Sequence, residues 1–203
     1  MEIDKEDFST YNGLNKKKSK LILHVDLRNT ILVADSVTST TVEQGLNSYM
    51  TCVAWGKVNE NSEWRWINDK LSVEPPDSNA ISYYSYLESK LVRNARNRAA
   101  LRKATGDFTQ TPIGSQFYDI FEKHRKILEW KHNNVQYLTL ANSYHYALPS
   151  FLECLYKLQE DKRDYSVIIR TYGLDARNML KALHSTTKGN HPSFKSVYIM
   201  ELF

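Results

Sequence analysis

The sequence contains few of the residues that staple small secreted proteins or build familiar cofactor sites. Its 203 residues include two cysteines, seven glycines and five prolines. Cys52 and Cys154 lie far apart and no C-x-x-C motif occurs, so we expect two free, buried thiols rather than a disulfide framework or a zinc site. Free thiols are typical of a reducing compartment, which predicts a cytoplasmic protein.

Long apolar runs and the common nucleotide and metal motifs are also missing. No stretch approaches the roughly 18 consecutive apolar residues of a membrane-spanning helix, so we expect no membrane partner. G-x-G-x-x-G, G-x-x-x-x-G-K-[ST] and H-E-x-x-H do not occur, which argues against those nucleotide cradles and that type of zinc site. The net charge of +4 is too small to indicate nucleic-acid binding by itself.

The composition predicts a globular domain with a hydrophobic core, since 41% of residues are hydrophobic and 12% are aromatic. Residues 1–20 are read as a flexible N-terminal arm, and its lysine run at 16–20 makes the nucleus an alternative location. Periodicity predicts strands at 21–27, 51–58, 63–67, 135–141, 165–171 and within 193–203. It predicts helices at 42–49, 82–103, 114–132, from Pro149 onward, and at 175–184.

The most informative segment is the apolar run 21–25, which ends abruptly in Asp26. Such a run indicates a buried parallel strand, and open α/β sheets place their chemistry at the carboxyl ends of these strands. A second apolar strand, at 165–171, ends in the hydroxyl of Thr171. We expect the two strands to be adjacent and parallel, so that the carboxylate and the hydroxyl share one edge.

Both segments resemble motifs of the haloacid dehalogenase-like (HAD-like) superfamily. Residues 26–30 are similar to its first motif, hhhhDxDxT, and residues 167–171 to its second, an apolar strand closed by Thr or Ser. The resemblance implies an α/β fold with a Rossmann-like three-layer core around a parallel sheet. That core would comprise 21–35 and 147–203, with a mainly helical, cap-like insertion at 36–146.

The resemblance also implies a phosphatase-type hydrolase. Asp26 would be the nucleophile and a Mg²⁺ ligand, with the backbone carbonyl of Arg28 as a second ligand. Thr171 would bind the phosphate, and Arg28 and Thr30 would join it in contacting substrate. The expected partner is a phosphorylated small molecule or protein.

Two departures from the family pattern leave a second function open. Arg28 stands where the family has its acid/base Asp, and a guanidinium cannot exchange a proton at neutral pH. Its charge would instead clamp a phosphate oxygen or pair with Asp26. The downstream acidic motif has no clear match after Thr171. The chain is therefore predicted to be the front part of a longer enzyme or a catalytically inactive binding module.

A third, weaker hypothesis is nucleic-acid binding through the predicted helix at 93–103. Its basic residues could contact phosphates, while Trp64 or Trp66 stacks a base. A solvated helix face explains the same pattern and is favoured. The basic residues in question are Arg93, Arg96, Arg98, Arg102 and Lys103.

Overall fold

A computed structural model describes residues 19–94, 97–133, 135–140 and 143–194. These residues form a mixed α/β protein with a two-stranded parallel sheet and a separate three-stranded antiparallel sheet. The strands are β1 (Leu21–Asp26), β2 (Trp55–Val58), β3 (Trp64–Trp66), β4 (Ile81–Ser82) and β5 (Tyr165–Arg170). The helices are α1 (Val42–Cys52), α2 (Tyr83–Leu91), α3 (Ala99–Gly106), α4 (Tyr118–Leu128), α5 (Pro149–Glu160) and α6 (Ala176–Thr187).

Strands β1 and β5 form the parallel sheet, in which Asp26 pairs with Arg170 at the carboxyl end. The prediction that these strands are adjacent and parallel is confirmed. Helix α5 leads into β5 and begins at Pro149, at a position where a missing N–H breaks no helical hydrogen bond. Its Leu155 packs against Val167 of β5, and both side chains are completely buried.

No clear Rossmann-like core is present in the described part of the chain. A three-layer core covers both faces of its sheet, but alternate residues of β1 are exposed. Ile22, on the exposed face, keeps 54% of its surface accessible. The third strand predicted within 193–203 falls almost entirely on residues 195–203, which lie outside the described residues.

Between the two parallel strands, helices α1 to α4 pack with the antiparallel sheet, whose strand order is β3-β2-β4. Thr41 starts α1 with a capping box, in which Thr41 and Gln44 each accept a hydrogen bond from the other's backbone N–H. Trp64 and Trp66 lie on one face of β3, as predicted, with ring centroids 4.6 Å apart. Trp64 is 5% exposed, so it belongs to a core cluster with residues such as Phe108 and Phe117.

Four predicted elements differ from the structure. The helix at 114–132 is α4, Tyr118–Leu128, preceded by a 3-10 turn at Ser115–Phe117. The helix at 82–103 is two helices, α2 and α3, separated at 92–98. The only apolar residues in the sequence of 92–98 are Val92 and one alanine. The asparagine side chains of this segment compete with the helix for backbone hydrogen bonds. The strand at 51–58 begins at Trp55 because α1 continues to Cys52. The strand at 135–141 is a turn over 136–138, where Tyr137 has a φ of 70°.

The two cysteines are free, as predicted, although their burial differs from the prediction. Cys52 is half-buried and burial raises the pKa of its thiol. Cys154 is exposed on α5, because the buried face of that helix is formed by Leu152 and Leu155. Among the described helices, none has the length and apolarity to cross a bilayer.

Candidate functional site

Asp26 ends strand β1 with an exposed side chain. The backbone then turns inward at Leu27, which is fully buried and accepts hydrogen bonds from the amides of Ile31 and Leu32. This buried turn fixes the position of the chain directly after Asp26. The loop that follows brings Arg28 and Asp35 together.

Arg28 donates a hydrogen bond to Asp35 and forms an ion pair with it. The Asp35 carboxylate also accepts from the Thr38 hydroxyl at 2.5 Å and from the Val37 amide at 3.0 Å. Burial raises the pKa of Asp35, but these hydrogen bonds and the Arg28 charge outweigh it and leave the pKa below its usual value. Asp35 therefore stays ionised, and the structure pairs Arg28 with Asp35 rather than with Asp26, the carboxylate that the sequence argument offered as a partner.

A polar cleft of about 360 Å³ opens at the end of β1, between the 28–40 loop and helices α1 to α3. We refer to it as the strand-end cleft. Three arginines and two acids line it, together with hydroxyl and amide groups such as those of Thr38, Thr40, Gln44 and Tyr84. The charged lining residues are Asp26, Arg28, Asp35, Arg98 and Arg102.

The two arginines that α3 and its preceding segment place at the cleft, Arg98 and Arg102, differ in their hydrogen bonding. Arg98 donates to the Tyr84 hydroxyl at 2.9 Å and to Glu88, so its guanidinium is held in place. Arg102 is exposed and pairs with none of the described carboxylates. A guanidinium carries five N–H donors, and the pairs formed by Arg28 and Arg98 leave some of these donors free for an oxyanion.

Thr171 lies directly after Arg170, the register partner of Asp26. Its hydroxyl oxygen accepts a hydrogen bond from the Gly173 amide at 3.0 Å, which leaves the hydroxyl proton free to donate. Thr171 is not among the described residues that line the strand-end cleft, and the exposed Thr30 is not among them either. The structure thus places Asp26 and Arg28 in the cleft and Thr171 just after the end of β5.

A second cavity of about 390 Å³ adjoins the strand-end cleft and shares Asp35 and Thr40 with it. Asp175 lies in it, 5% exposed, and accepts from the Ser36 amide at 3.4 Å. Burial and the negative charge of Asp175 raise the pKa of Tyr146 to about 12. Tyr146 therefore stays protonated and keeps a hydrogen-bond donor at this cavity.

The cleft offers little to a magnesium ion. The described residues contain no group of three His, Cys, Asp or Glu side chains placed to hold a metal, whereas Mg²⁺ prefers six oxygen ligands. Asp35 is engaged by Arg28 and Thr38, which leaves the Asp26 carboxylate and the Arg28 backbone as the predicted ligands. These residues do not make a fitted magnesium site.

The predicted arginine face for nucleic acid does not lie on one continuous helix. Arg98 and Arg102 both line the strand-end cleft, whereas Arg93 lies in the bend after α2 and is not among the residues that line it. Arg96 lies outside the described residues. Trp64 is buried in the core and cannot stack a base, so the structure removes one of the two aromatic side chains that this hypothesis used.

Sequence reasoning missed Asp35, Arg98 and Arg102 as members of the cleft. Asp35 had no motif to mark it, and Arg98 and Arg102 were assigned to a continuous helix face. Their position depends on the break between α2 and α3 and on how α3 packs against α1. Only the three-dimensional packing supplies that information.

Comparison with known proteins gives no assignment. No protein-family model matches the chain, and no curated protein or solved structure shows a significant similarity to it.

Proposed function

We propose that this protein is a HAD-like binding module that holds a phosphorylated ligand in the strand-end cleft. The observation that carries the proposal is the set of three arginines around one polar cavity. Two of them, Arg28 and Arg98, are pre-positioned by carboxylates. Fixed guanidinium groups bind phosphate well because less side-chain freedom is lost on binding.

In this proposal the phosphate lies between Arg102 and the two fixed arginines, Arg28 and Arg98. Arg102 contributes a guanidinium that forms no ion pair with a described carboxylate. Asp26, exposed at the mouth of the cleft, accepts a hydrogen bond from a hydroxyl of the ligand. The ligand class is then a phosphate monoester that carries a further hydroxyl, either a small molecule or a phosphorylated side chain of a protein.

The binding test uses calorimetric titration with glycerol phosphate, a small monoester that carries free hydroxyls. Arg102→Gln removes one charged hydrogen-bond donor and is expected to weaken binding about tenfold. Arg65→Gln is the matched control, because Arg65 is an exposed arginine on β3, remote from the cleft lining. Equal affinity of the wild type and Arg102→Gln would contradict the proposal.

A phosphatase with Asp26 as nucleophile is the second candidate function. It is supported by the exposed Asp26 carboxylate at the end of β1, next to the parallel strand β5, whose last residue directly precedes Thr171. The test is hydrolysis of para-nitrophenyl phosphate in the presence of Mg²⁺, with Asp26→Asn as the inactive control. Turnover that disappears in Asp26→Asn selects the enzyme, whereas binding without turnover selects the module.

A further inference from the structure

We propose that helix α6 carries a second anion-binding site, which takes the phosphate backbone of a single-stranded nucleic acid. Four exposed basic side chains follow one face of this helix and its C-cap, at spacings of four, three and four residues. We call them the basic stripe: Arg177, Lys181, His184 and Lys188. At 1.5 Å rise per residue the stripe is about 16 Å long.

The charge of the stripe is not compensated within the helix. The α6 sequence contains no Asp or Glu, and none of the four side chains pairs with a described carboxylate. Asp175, just before the helix, is buried and accepts from the Ser36 amide. Arg177 and Lys181, four residues apart, are like charges that weaken a helix, and an anionic ligand would supply a counter-charge.

The stripe forms one side of a groove of about 660 Å³, and residues 135–137 form the other. Tyr137 lines the second wall and has a φ of 70°, in the left-handed region. The Lys181 ammonium lies 4.6 Å from the centroid of the Tyr137 ring. This cation–π contact holds the lysine at the groove in advance of binding.

The length of the groove and its aromatic side chain favour a single strand over other polyanions. The groove follows α6 for about 16 Å, a length that suits a few phosphates of an extended chain. Tyr137 is 37% exposed, and an aromatic ring beside a basic groove is what single-strand binding proteins use to stack bases.

This inference does not depend on the proposed function, because the basic stripe and the strand-end cleft share no residue. It also places the nucleic-acid surface on a different helix from the one suggested by the sequence. The basic residues of α6 are spread over 177–188 with apolar residues between them, and their alignment becomes evident once the helix and its groove are known.

The experiment is fluorescence anisotropy with a labelled uridine decamer and the intact chain. Lys181→Glu/Lys188→Glu is expected to weaken binding at least about tenfold. The matched control is Lys123→Glu/Lys126→Glu, which makes the same change in net charge at two exposed lysines of α4. Binding of the wild type should fall about 20-fold over an about fourfold rise in salt, because three Lys or Arg contacts give a slope near −2.

Three results would overturn the inference. The first is no decamer binding by the wild type at low salt. The second is an equal loss of affinity in the α4 and α6 variants, which would mean that only net charge matters. The third is a different preferred ligand. This would be tighter binding of the matching duplex than of the decamer, or binding of phosphatidylserine vesicles through Lys181 and Lys188 by a protein that does not bind the decamer.

Discussion

The buried imidazole of His191 makes the stability of this fold depend on pH. The side chain is 1% exposed and lies between Trp130, Phe194 and the stacked ring of His145. Its Nδ1 accepts from the Ser193 amide at 3.2 Å, and its Nε2 has no hydrogen-bond partner among the described residues. A second proton on Nδ1 would break the bond from Ser193 and put a charge in an apolar site.

Burial, with the positive charges of His145 and His132 adding to it, lowers the pKa of His191 to about 4. In the unfolded chain the pKa of a histidine is about 6.5. Above that pH the His191 imidazole is neutral in both the folded and the unfolded chain, so it makes no pH-dependent contribution to the free energy of unfolding. Between about 6.5 and 4 the unfolded chain binds more protons, so the free energy of unfolding falls as the pH falls, by about 2 kcal/mol at pH 5 and about 3 kcal/mol in full.

The assay is urea unfolding followed by tryptophan fluorescence, near neutral pH and again at about pH 5. His191→Phe keeps the ring and removes the titration, so about 2 kcal/mol of the wild-type loss should disappear. Burial also lowers the pKa of His145. The free energy of unfolding of His191→Phe should therefore still fall somewhat as the pH falls. His124→Gln, at an exposed site on α4, retains His191 and should keep the wild-type slope. An unchanged slope in His191→Phe would refute the reasoning.

Three other substitutions test the packing that positions the cleft, each by the free energy of unfolding in urea. Leu155→Ala empties a fully buried site between α5 and β5 and should cost about 2–5 kcal/mol; a loss below about 1 kcal/mol would mean the site collapses freely. Asn47→Ala deprives the buried Thr109 amide and hydroxyl of their acceptor, each at 2.8 Å, and should cost about 2–4 kcal/mol. Gly56→Ala would place a Cβ 2.3 Å from the Trp64 ring and should prevent stable folding, whereas wild-type stability would contradict this close packing.

How much of the fold follows from the sequence depends on the range of the interactions. Strands β1 and β5 were predictable because an apolar run that ends in Asp26 or Arg170 is a local pattern. Their parallel pairing followed from the resemblance and from the Pro149 helix between them. The break between α2 and α3 was missed because the alanines at 95 and 99 extend the helical spacing of apolar residues across 92–98, although the asparagines of that segment disfavour a helix.

The site divides in the same way. Asp26 and Arg28 were predicted from the first motif, and the structure places both in the cleft. Asp35 and Arg102 join them through the 28–40 loop and the packing of α3 on α1, which no local pattern encodes. Thr171 was predicted beside Asp26 and follows the last residue of the adjacent strand, but the described lining of the cleft does not include it.

The most direct test of the central claim is the location of the phosphate, followed by backbone amide NMR shifts during titration with glycerol phosphate. The account predicts that the amides of residues 27–40 and 98–105 shift together and saturate, and that Arg102→Gln needs about tenfold more ligand to reach the same shifts. Saturable shifts confined to other parts of the chain, with the amides around the cleft unmoved, would contradict it.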